Sequence, residues 1–247
     1  MSGTERVIAM IPAREGSTRL PRKALLAETG KALIVHVCEA AARCAVVERV
    51  VAATDSEEIA RVVRAAGFEA VLTGEHENGT SRIDEAAEKV GVGDERLIVN
   101  VQGDEPEIEG EVVEGAVGAM MVGGREVEIG TAACAIGDAR EFENPNVVKV
   151  VRGEDGRALY FSRSAIPHGE GVERLRHVGI YAYRRGALRR YVRLTPTRLD
   201  RAEKLEQLRA LAHGWGIGVG VVRAGQQGID TREQYEAFVA RWGVRGG

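Results

Sequence analysis

Several features that would assign this 247-residue chain to other classes of protein are missing from it. Its three cysteines, Cys38, Cys44 and Cys134, are odd in number and lack CxxC spacing, which argues against a disulfide framework or a zinc site. We expect all three to be buried as small apolar residues. No run of eighteen apolar residues occurs, and no signal-peptide pattern opens the sequence. The expectation is a cytoplasmic protein with no membrane partner.

An unopposed block of basic residues is also missing. The chain has 34 Lys and Arg against 37 Asp and Glu, a formal net charge of −3. This balance argues against nucleic acid as a partner, so the cations must act locally. Internal repeats, low-complexity segments and long linkers are absent too. With 44% hydrophobic residues, the chain is long enough for one substantial core with an appended lobe.

The first half of the sequence alternates short apolar segments with amphipathic ones, which predicts β-α-β units and a parallel sheet. After Pro106 the pattern becomes richer in strands, and helices return near the end. We expect an α/β fold whose mostly parallel central sheet is flanked by helices, with a small β-rich lobe. The predicted strands are 7–11, 50–53, 70–72, 97–101, 128–135, 147–151, 158–161, 176–183 and 216–222. The predicted helices are 34–43, 57–66, 82–90, 112–121, 201–213 and 232–241.

The loop after the first predicted strand is rich in groups that bind anions. Residues 11–23 read IPAREGSTRLPRK and follow a buried strand, at the sheet edge where open α/β folds bind ligands. Gly16 lets backbone N–H groups turn towards an anion, and Ser17 and Thr18 can add donors. The order of a Walker loop is absent. A solvated basic loop is the alternative, but the buried strand before it favours phosphate binding. The fixed positive charges would come from Arg14, Arg19 and Lys23.

Two aspartates follow later predicted strands. If the strand before Asp104 is parallel to the first, this carboxylate emerges at the same edge as the cationic loop, an arrangement that suits Mg²⁺ bridging to phosphate. A strand-ending Asx turn is the alternative. Asp230 would be a second metal ligand, or Asp230 or Thr231 would only cap the last helix. The sequence leaves both alternatives open.

Two further segments carry candidate binding residues. His177 and Tyr181 share one face of a predicted strand whose other face is more apolar, which leaves the first face available for a pocket. A role in the core is the alternative for both residues. On the helix predicted over 201–213, Glu206 and Gln207 point away from a stripe of leucines. These two side chains could reach a polyhydroxylated ligand.

Nine motifs in order resemble the cytidylyltransferases of 3-deoxy-manno-octulosonate (Kdo), the CMP-Kdo synthetases, along nearly the whole chain. This resemblance implies a Rossmann-like nucleotidyltransferase fold and transfer of CMP from CTP to Kdo, with release of pyrophosphate. It also implies a homodimer. The motifs are IPAREGSTRLPRK (11–23), VAATD (51–55), NGTSRI (78–83), VNVQGDEP (99–106), NPNVVKVV (144–151), ALYFSRSAIP (158–167), RHVGIYAYRRG (176–186), LEQLRAL (205–211) and GIDT (228–231).

The resemblance also implies roles for individual residues. The nucleotide would lie against Ala13, Arg14, Ser17, Arg19, Lys23, Gly79 and Thr80, and Mg²⁺ would be bound by Asp104 and Asp230. The residues with catalytic roles would be Arg14, Arg19, Lys23 and Asp104. A small anionic acceptor would be bound by Arg82, Gln102, His177, Tyr181, Glu206 and Gln207. One domain over 1–247 is expected, with 1–125 and 200–247 as the nucleotide-binding core and 126–199 as an acceptor and dimerisation lobe.

The sequence departs from the family pattern at residues 168–175, where relatives have a longer insertion. A smaller acceptor, such as phosphonoformate, is therefore an alternative substrate. A non-catalytic nucleotide-binding regulator is an alternative from another class, although the presence of both Asp104 and Asp230 argues against it. An enzyme using UTP or ATP would normally have a GxGxR loop in place of AREGSTR.

Overall fold

A computed structural model describes residues 6–17, 19–122, 125–169, 171–223 and 228–245. The chain has a mixed α/β fold with a mostly parallel central sheet and flanking helices, as predicted. The strands are β1 (Val7–Ala13), β2 (Val47–Thr54), β3 (Glu69–Leu72), β4 (Leu97–Asn100), β5 (Met121–Val122), β6 (Arg125–Glu126), β7 (Ile129–Ala135), β8 (Lys149–Arg152), β9 (Ala158–Ser162), β10 (Leu175–Arg184) and β11 (Ile217–Val222).

Nine α-helices accompany these strands within the described ranges. They are α1 (Leu33–Ala42), α2 (Glu57–Ala65), α3 (Gly79–Lys89), α4 (Gly110–Gly118), α5 (Ala139–Glu143), α6 (Arg185–Tyr191), α7 (Arg198–Glu203), α8 (Gln207–Ala212) and α9 (Arg232–Arg245). A short 3-10 helix covers Lys23–Leu25. Within the described ranges, no helix is both long and apolar enough to cross a membrane. All three cysteines are buried, as expected, and each is a thiol rather than half of a disulfide.

Two compact units divide the chain. The first unit contains residues 1–92, 100–110 and 226–247, and the second unit contains residues 93–99 and 111–225. The boundaries expected from the sequence, at residues 125 and 200, remain a prediction.

The first unit is built around the parallel strands β1, β2 and β3, which pair in that order. β1 is apolar along its whole length and buried except at Pro12, as a strand covered on both faces should be. Helix α2 begins at the Ser56 cap, whose hydroxyl accepts a hydrogen bond from the Ile59 N–H. An apolar cluster contains Leu20 of the cationic loop after β1, Ile229 and two aromatic residues of α9. The loop and the start of α9 therefore share one core.

The second unit carries the antiparallel part of the sheet. Strand β10 pairs antiparallel with β7 and β8, β8 pairs antiparallel with β9, and β11 runs parallel to β7. Along β10, Val178, Ile180 and Ala182 are buried, whereas His177 and Tyr181 are only half-buried. The predicted alternation is therefore confirmed from His177 to Ala182 and ends at Tyr183, which is buried like its neighbour Ala182.

One predicted helix is wrong. The segment 201–213 forms two short helices, α7 and α8, because Lys204 adopts the left-handed conformation with φ of 55°. A residue in that conformation cannot continue a right-handed helix. The bounds of other helices also shift, since α3 begins at Gly79 and α4 ends at Gly118.

Candidate active site

Two glycines allow the end of β1 to approach its neighbours closely. A Cβ atom on Gly103 would lie 2.5 Å from the carbonyl oxygen of Pro12, and one on Gly79 would lie 2.9 Å from Pro12 Cγ. Both distances are shorter than non-bonded atoms tolerate, so neither position accepts a side chain without movement. The backbone around Pro12 is thereby packed against the start of α3 and against the segment that carries Asp104.

Four charged side chains from three distant parts of the sequence meet in the first unit. Lys23 Nζ donates to Asp104 Oδ2 at 2.7 Å and to Asp230 Oδ1 at 3.1 Å. The guanidinium of Arg19 lies 2.9 Å from Asp230 Oδ2. We call Arg19, Lys23, Asp104 and Asp230 the carboxylate junction. Because only 16% of the Lys23 side chain is exposed, its bonds to the carboxylates are partly shielded from water.

The hydrogen bonds at the start of α9 show whether Asp230 caps this helix. The Thr231 hydroxyl accepts a hydrogen bond from the Gln234 N–H at 3.3 Å. The Gln234 side-chain oxygen accepts from the N–H groups of Asp230 and Thr231 at 2.7 and 3.0 Å. This reciprocal pair forms a capping box. Thr231 therefore supplies the cap, and the Asp230 carboxylate turns to Lys23 and Arg19.

The junction has a donor set suited to a hard divalent cation. Mg²⁺ in proteins is usually bound by one or two carboxylates, with water and substrate phosphates completing its shell. Asp104 and Asp230 supply two carboxylates that already share one cationic partner. No group of three or more acidic, histidine or cysteine ligands occurs in the ranges that the structure covers. The residues present thus fit a metal that binds together with a nucleotide.

The other predicted nucleotide-binding residues lie along the same loop and at the start of α3. Ala13 is buried at the end of β1, and Arg14 is exposed. The Ser17 hydroxyl accepts a hydrogen bond from the Leu20 N–H at 3.4 Å. Gly79 and Thr80 form the first turn of α3, after the Asn78 cap. Thr18 lies outside the described residues.

Arg82 and Gln102 are the predicted acceptor-binding residues of the first unit. The Arg82 side chain is 3% exposed and donates to Asp55 Oδ2 at 2.6 Å and to the Thr73 hydroxyl at 2.8 Å. Its charge is therefore already paired with a carboxylate. Gln102 is half-buried, and its backbone carbonyl oxygen accepts a hydrogen bond from the Glu105 N–H at 3.2 Å.

His177 lies in an aromatic environment in the second unit. Its ring packs edge-on against Phe161, with centroids 5.0 Å apart, and lies 5.5 Å from the Tyr181 ring. Burial lowers the pKa of His177 to about 3, so its imidazole is neutral at physiological pH. We call Phe161, His177 and Tyr181 the aromatic face.

Thr131 of β7 determines which nitrogen of His177 carries the proton. The Thr131 hydroxyl donates to the Ile180 carbonyl oxygen at 2.6 Å and also lies 2.9 Å from His177 Nε2. A hydroxyl has one proton, so its oxygen must accept from Nε2–H of His177. This assignment leaves Nδ1 as a hydrogen-bond acceptor. Sequence reasoning missed Thr131, although it is the single hydroxyl-bearing residue of the apolar strand IGTAACA.

The junction between α7 and α8 corrects one further expectation. Gln207 is 4% exposed and is not turned outwards as predicted. Glu206 is half-buried at the start of α8, and its carbonyl oxygen accepts a hydrogen bond from the Tyr191 hydroxyl at 2.8 Å. The error follows from the predicted helix, because the break at Lys204 changes the direction of every later side chain.

Comparison with known proteins assigns this geometry to a family. The family model described as cytidylyltransferase matches residues 8–217. A solved structure of CMP:2-keto-3-deoxy-manno-octonic acid synthetase complexed with CTP is 40% identical, with a TM-score of 0.89 over 98% of this chain and 100% of that chain. A cytidylyltransferase from Leptospira borgpetersenii serovar Hardjo-bovis (strain JB197) is 18% identical, with a TM-score of 0.59 over 96% and 86% of the two chains, and shares the fold. The chain therefore belongs to the cytidylyltransferase family and, within it, to the family of the CMP-Kdo synthetases.

Proposed function

We propose that the protein transfers CMP from CTP to Kdo in a Mg²⁺-dependent reaction that releases pyrophosphate. The observation that carries this proposal is the carboxylate junction, in which Lys23 and Arg19 meet Asp104 and Asp230. Identity of 40% over nearly the full chain to a protein named for this activity supports it.

CMP transfer requires mainly that the protein stabilise the negative charge that develops on the phosphates. An acceptor oxygen attacks the α-phosphorus of CTP, the bond to the β-phosphate oxygen breaks, and pyrophosphate leaves with the electron pair. Negative charge grows on the leaving phosphates, so fixed cations stabilise the transition state. Arg14, Arg19 and Lys23 are the residues that we assign to this task. No covalent intermediate with the enzyme is required.

Asp104 and Asp230 would hold the metal. When bound, Mg²⁺ neutralises phosphate charge and lowers the pKa of an acceptor hydroxyl. The two carboxylates also orient Lys23, since its ammonium group is bonded to both of them. This arrangement keeps the Lys23 cation beside the proposed metal ligands.

The acceptor would be bound by neutral polar groups, the Glu206 carboxylate and one paired arginine. Nδ1 of the neutral His177 is suited to accept a hydrogen bond from a sugar hydroxyl, and Tyr181, Glu206, Gln207 and Gln102 are the other proposed partners. Arg82 uses three of its five N–H donors on Asp55, Thr73 and Gly74. Its other two N–H groups have no partner among the described residues in these bonds, and we assign them to the acceptor carboxylate.

An acceptor screen tests the proposed function directly. Pyrophosphate release would be measured with CTP or UTP, with and without Mg²⁺, using Kdo, 8-amino-Kdo, sialic acid and phosphonoformate as acceptors. We expect release only with CTP, Mg²⁺ and Kdo or its 8-amino analogue. Activity on phosphonoformate alone would show that Kdo is not the acceptor, while CMP transfer from CTP would remain the reaction. CTP binding without turnover on any acceptor would favour a regulator.

We also infer that the protein is a homodimer, as its family resemblance implies. Light scattering of the purified protein, with and without CTP, measures this directly. A mass equal to one chain at micromolar concentration would refute the dimer.

A further inference from the structure

Arg22, just before Lys23, has an unusual backbone conformation. Its φ and ψ are 56° and 27°, in the left-handed region, where a residue with a Cβ atom is strained. Only Arg22 and Lys204 combine a side chain with positive φ in the part of the chain that the structure describes. Glycine would adopt this conformation without strain. A long charged residue here therefore requires a physical reason.

The Arg22 side chain supplies that reason. Its guanidinium lies 2.7 Å from Glu58 Oε1 at the start of α2 and 3.7 Å from Glu15 Oε1. The Ser56 hydroxyl, which caps α2, donates to the other carboxylate oxygen of Glu15 at 3.1 Å. Glu15 and Arg22 lie near opposite ends of the loop over residues 14–23, which we call the phosphate loop because of its proposed role. Both ends of this loop are therefore bound to the N-terminus of α2.

The turn at Arg22 determines the direction in which the Lys23 side chain leaves the backbone. The Leu25 N–H donates to the Arg22 carbonyl oxygen at 2.8 Å, and the Lys23 N–H donates to the Leu20 carbonyl oxygen at 3.2 Å. These bonds start the 3-10 helix directly after the left-handed residue. The Lys23 side chain then extends to Asp104 and Asp230. A different backbone conformation at Arg22 would direct Lys23 elsewhere.

We propose that Arg22 is a positioning residue, held in the left-handed conformation by Glu58 and Glu15 so that Lys23 reaches the carboxylate junction. This inference rests on the proposed function, in which Lys23 binds the phosphates of CTP. The side chains of Arg22, Glu58 and Glu15 are 54%, 42% and 51% exposed. Exposed ion pairs contribute little to the free energy of unfolding, so we expect the loss of these pairs to change the geometry of the loop rather than global stability.

Two substitutions at one position separate backbone from side-chain effects. Arg22→Ala keeps the strain of a Cβ atom and removes both ion pairs, and we expect kcat/KM for CTP to fall about tenfold. Arg22→Gly removes the ion pairs and the strain together, and we expect kcat/KM within about threefold of the wild-type value. The KM for the acceptor should not change in either variant. An equal loss in both variants would overturn the proposal, because it would mean that the guanidinium itself acts on the nucleotide.

Glu58→Ala and Glu57→Ala form a matched pair on α2. Glu58 bonds to Arg22, whereas Glu57 forms an exposed ion pair with Arg64 that does not involve the loop. We expect Glu58→Ala to lower kcat/KM for CTP about threefold and Glu57→Ala to leave it unchanged. Equal effects of the two substitutions would contradict the proposal, as would wild-type kinetics in Arg22→Ala.

A measurement without substrate distinguishes failure of this proposal from failure of the proposed function. The chain has five lysines, so the ammonium signal of Lys23 can be assigned in isotope-labelled protein by its loss in Lys23→Arg. We expect Arg22→Ala, but not Arg22→Gly, to shift this signal towards that of a solvated lysine. An unshifted signal in Arg22→Ala would refute the positioning role even in a protein that turned over no acceptor.

Discussion

Lys23, Asp104 and Asp230 in the first unit meet through ion pairs, whereas His177 and Tyr181 in the second unit lie among packed rings and backbone carbonyls. The first group consists of charges that remain in part open to water. The second is neutral, since burial keeps His177 unprotonated. One region can therefore respond to charge, and the other to shape and hydrogen-bonding pattern.

This difference indicates how the two substrates would be distinguished. Triphosphate and metal bring large charges that the carboxylate junction can balance, and their binding should depend on salt. A sugar acid presents many hydroxyl groups, and a fixed imidazole acceptor can select among them. Substitutions in the junction should therefore affect the CTP step, and substitutions near the aromatic face should affect the acceptor.

The largest effect is expected at Asp104. Asp104→Asn keeps the size of the side chain and removes its charge, so pyrophosphate release should fall by about three orders of magnitude or more. The fold should persist, because Asp104 is partly exposed. Asp155→Asn, at an exposed turn, is the matched control. Turnover near the wild-type rate in Asp104→Asn would remove this residue from the site.

Lys23→Met should have the next largest effect. Loss of the cation beside two carboxylates weakens stabilisation of the leaving phosphates by about 3 kcal/mol, and we expect kcat/KM for CTP to fall on the order of a hundredfold. The dependence of CTP binding on salt should weaken as well. Lys89→Met, which removes an exposed ion pair with Glu85, is the control. A change confined to the KM of the acceptor would contradict the expectation that the carboxylate junction affects the CTP step.

The aromatic face can be tested through pH. The unfolded chain binds a proton at His177 below pH 6.5, and the folded chain does so only near pH 3. The stability contributed by the neutral ring is therefore complete above pH 6.5 and is lost as the pH falls. Between pH 7 and pH 5 the wild type should lose about 2 kcal/mol more unfolding free energy than His177→Gln.

Denaturant unfolding at several pH values measures this difference. Burial also lowers the pKa of His36, so the comparison with the variant, rather than the wild type alone, isolates His177. His213→Gln, at an exposed position, is the matched control. Parallel pH curves for the wild type and His177→Gln would show that His177 titrates normally.

Thr131→Val should have the smallest effect. The substitution keeps the shape and removes the hydroxyl that bonds Ile180 and His177, at a cost of about 1 kcal/mol in stability. The KM of the acceptor should rise because the orientation of His177 is no longer fixed, while the KM of CTP stays constant. An effect on CTP alone would break the division between the two regions.

Local patterns predicted the elements that present the carboxylate junction. The apolar run of β1 and the spacing of α2 are visible in the sequence. The sequence also predicts Asp104 beside the cationic loop, on the condition that the strand before Asp104 is parallel to the first, and Lys23 does contact Asp104. The direction of the Asp230 carboxylate was not predictable. It depends on Gln234 and Thr231 completing a cap without it.

The second unit was harder to predict because tertiary contacts override local propensity there. No glycine or proline marks the break at Lys204, so a continuous helix over 201–213 was the natural prediction. The partnership of Thr131 with His177 joins residues 46 positions apart. Only the pairing of β7 with β10 brings them together.

The apolar cluster that joins Leu20 to Ile229 and α9 has a consequence for synthesis of the chain. The phosphate loop leaves the ribosome more than 200 residues before Ile229 and Asp230 do. Domains fold largely as their segments become available during translation. Until residues 229 and 230 have emerged, Leu20 can pack only against the earlier members of the cluster, such as Leu33, and Lys23 has only one of its two carboxylates. A nascent chain stopped before residue 228 should fail to retain CTP.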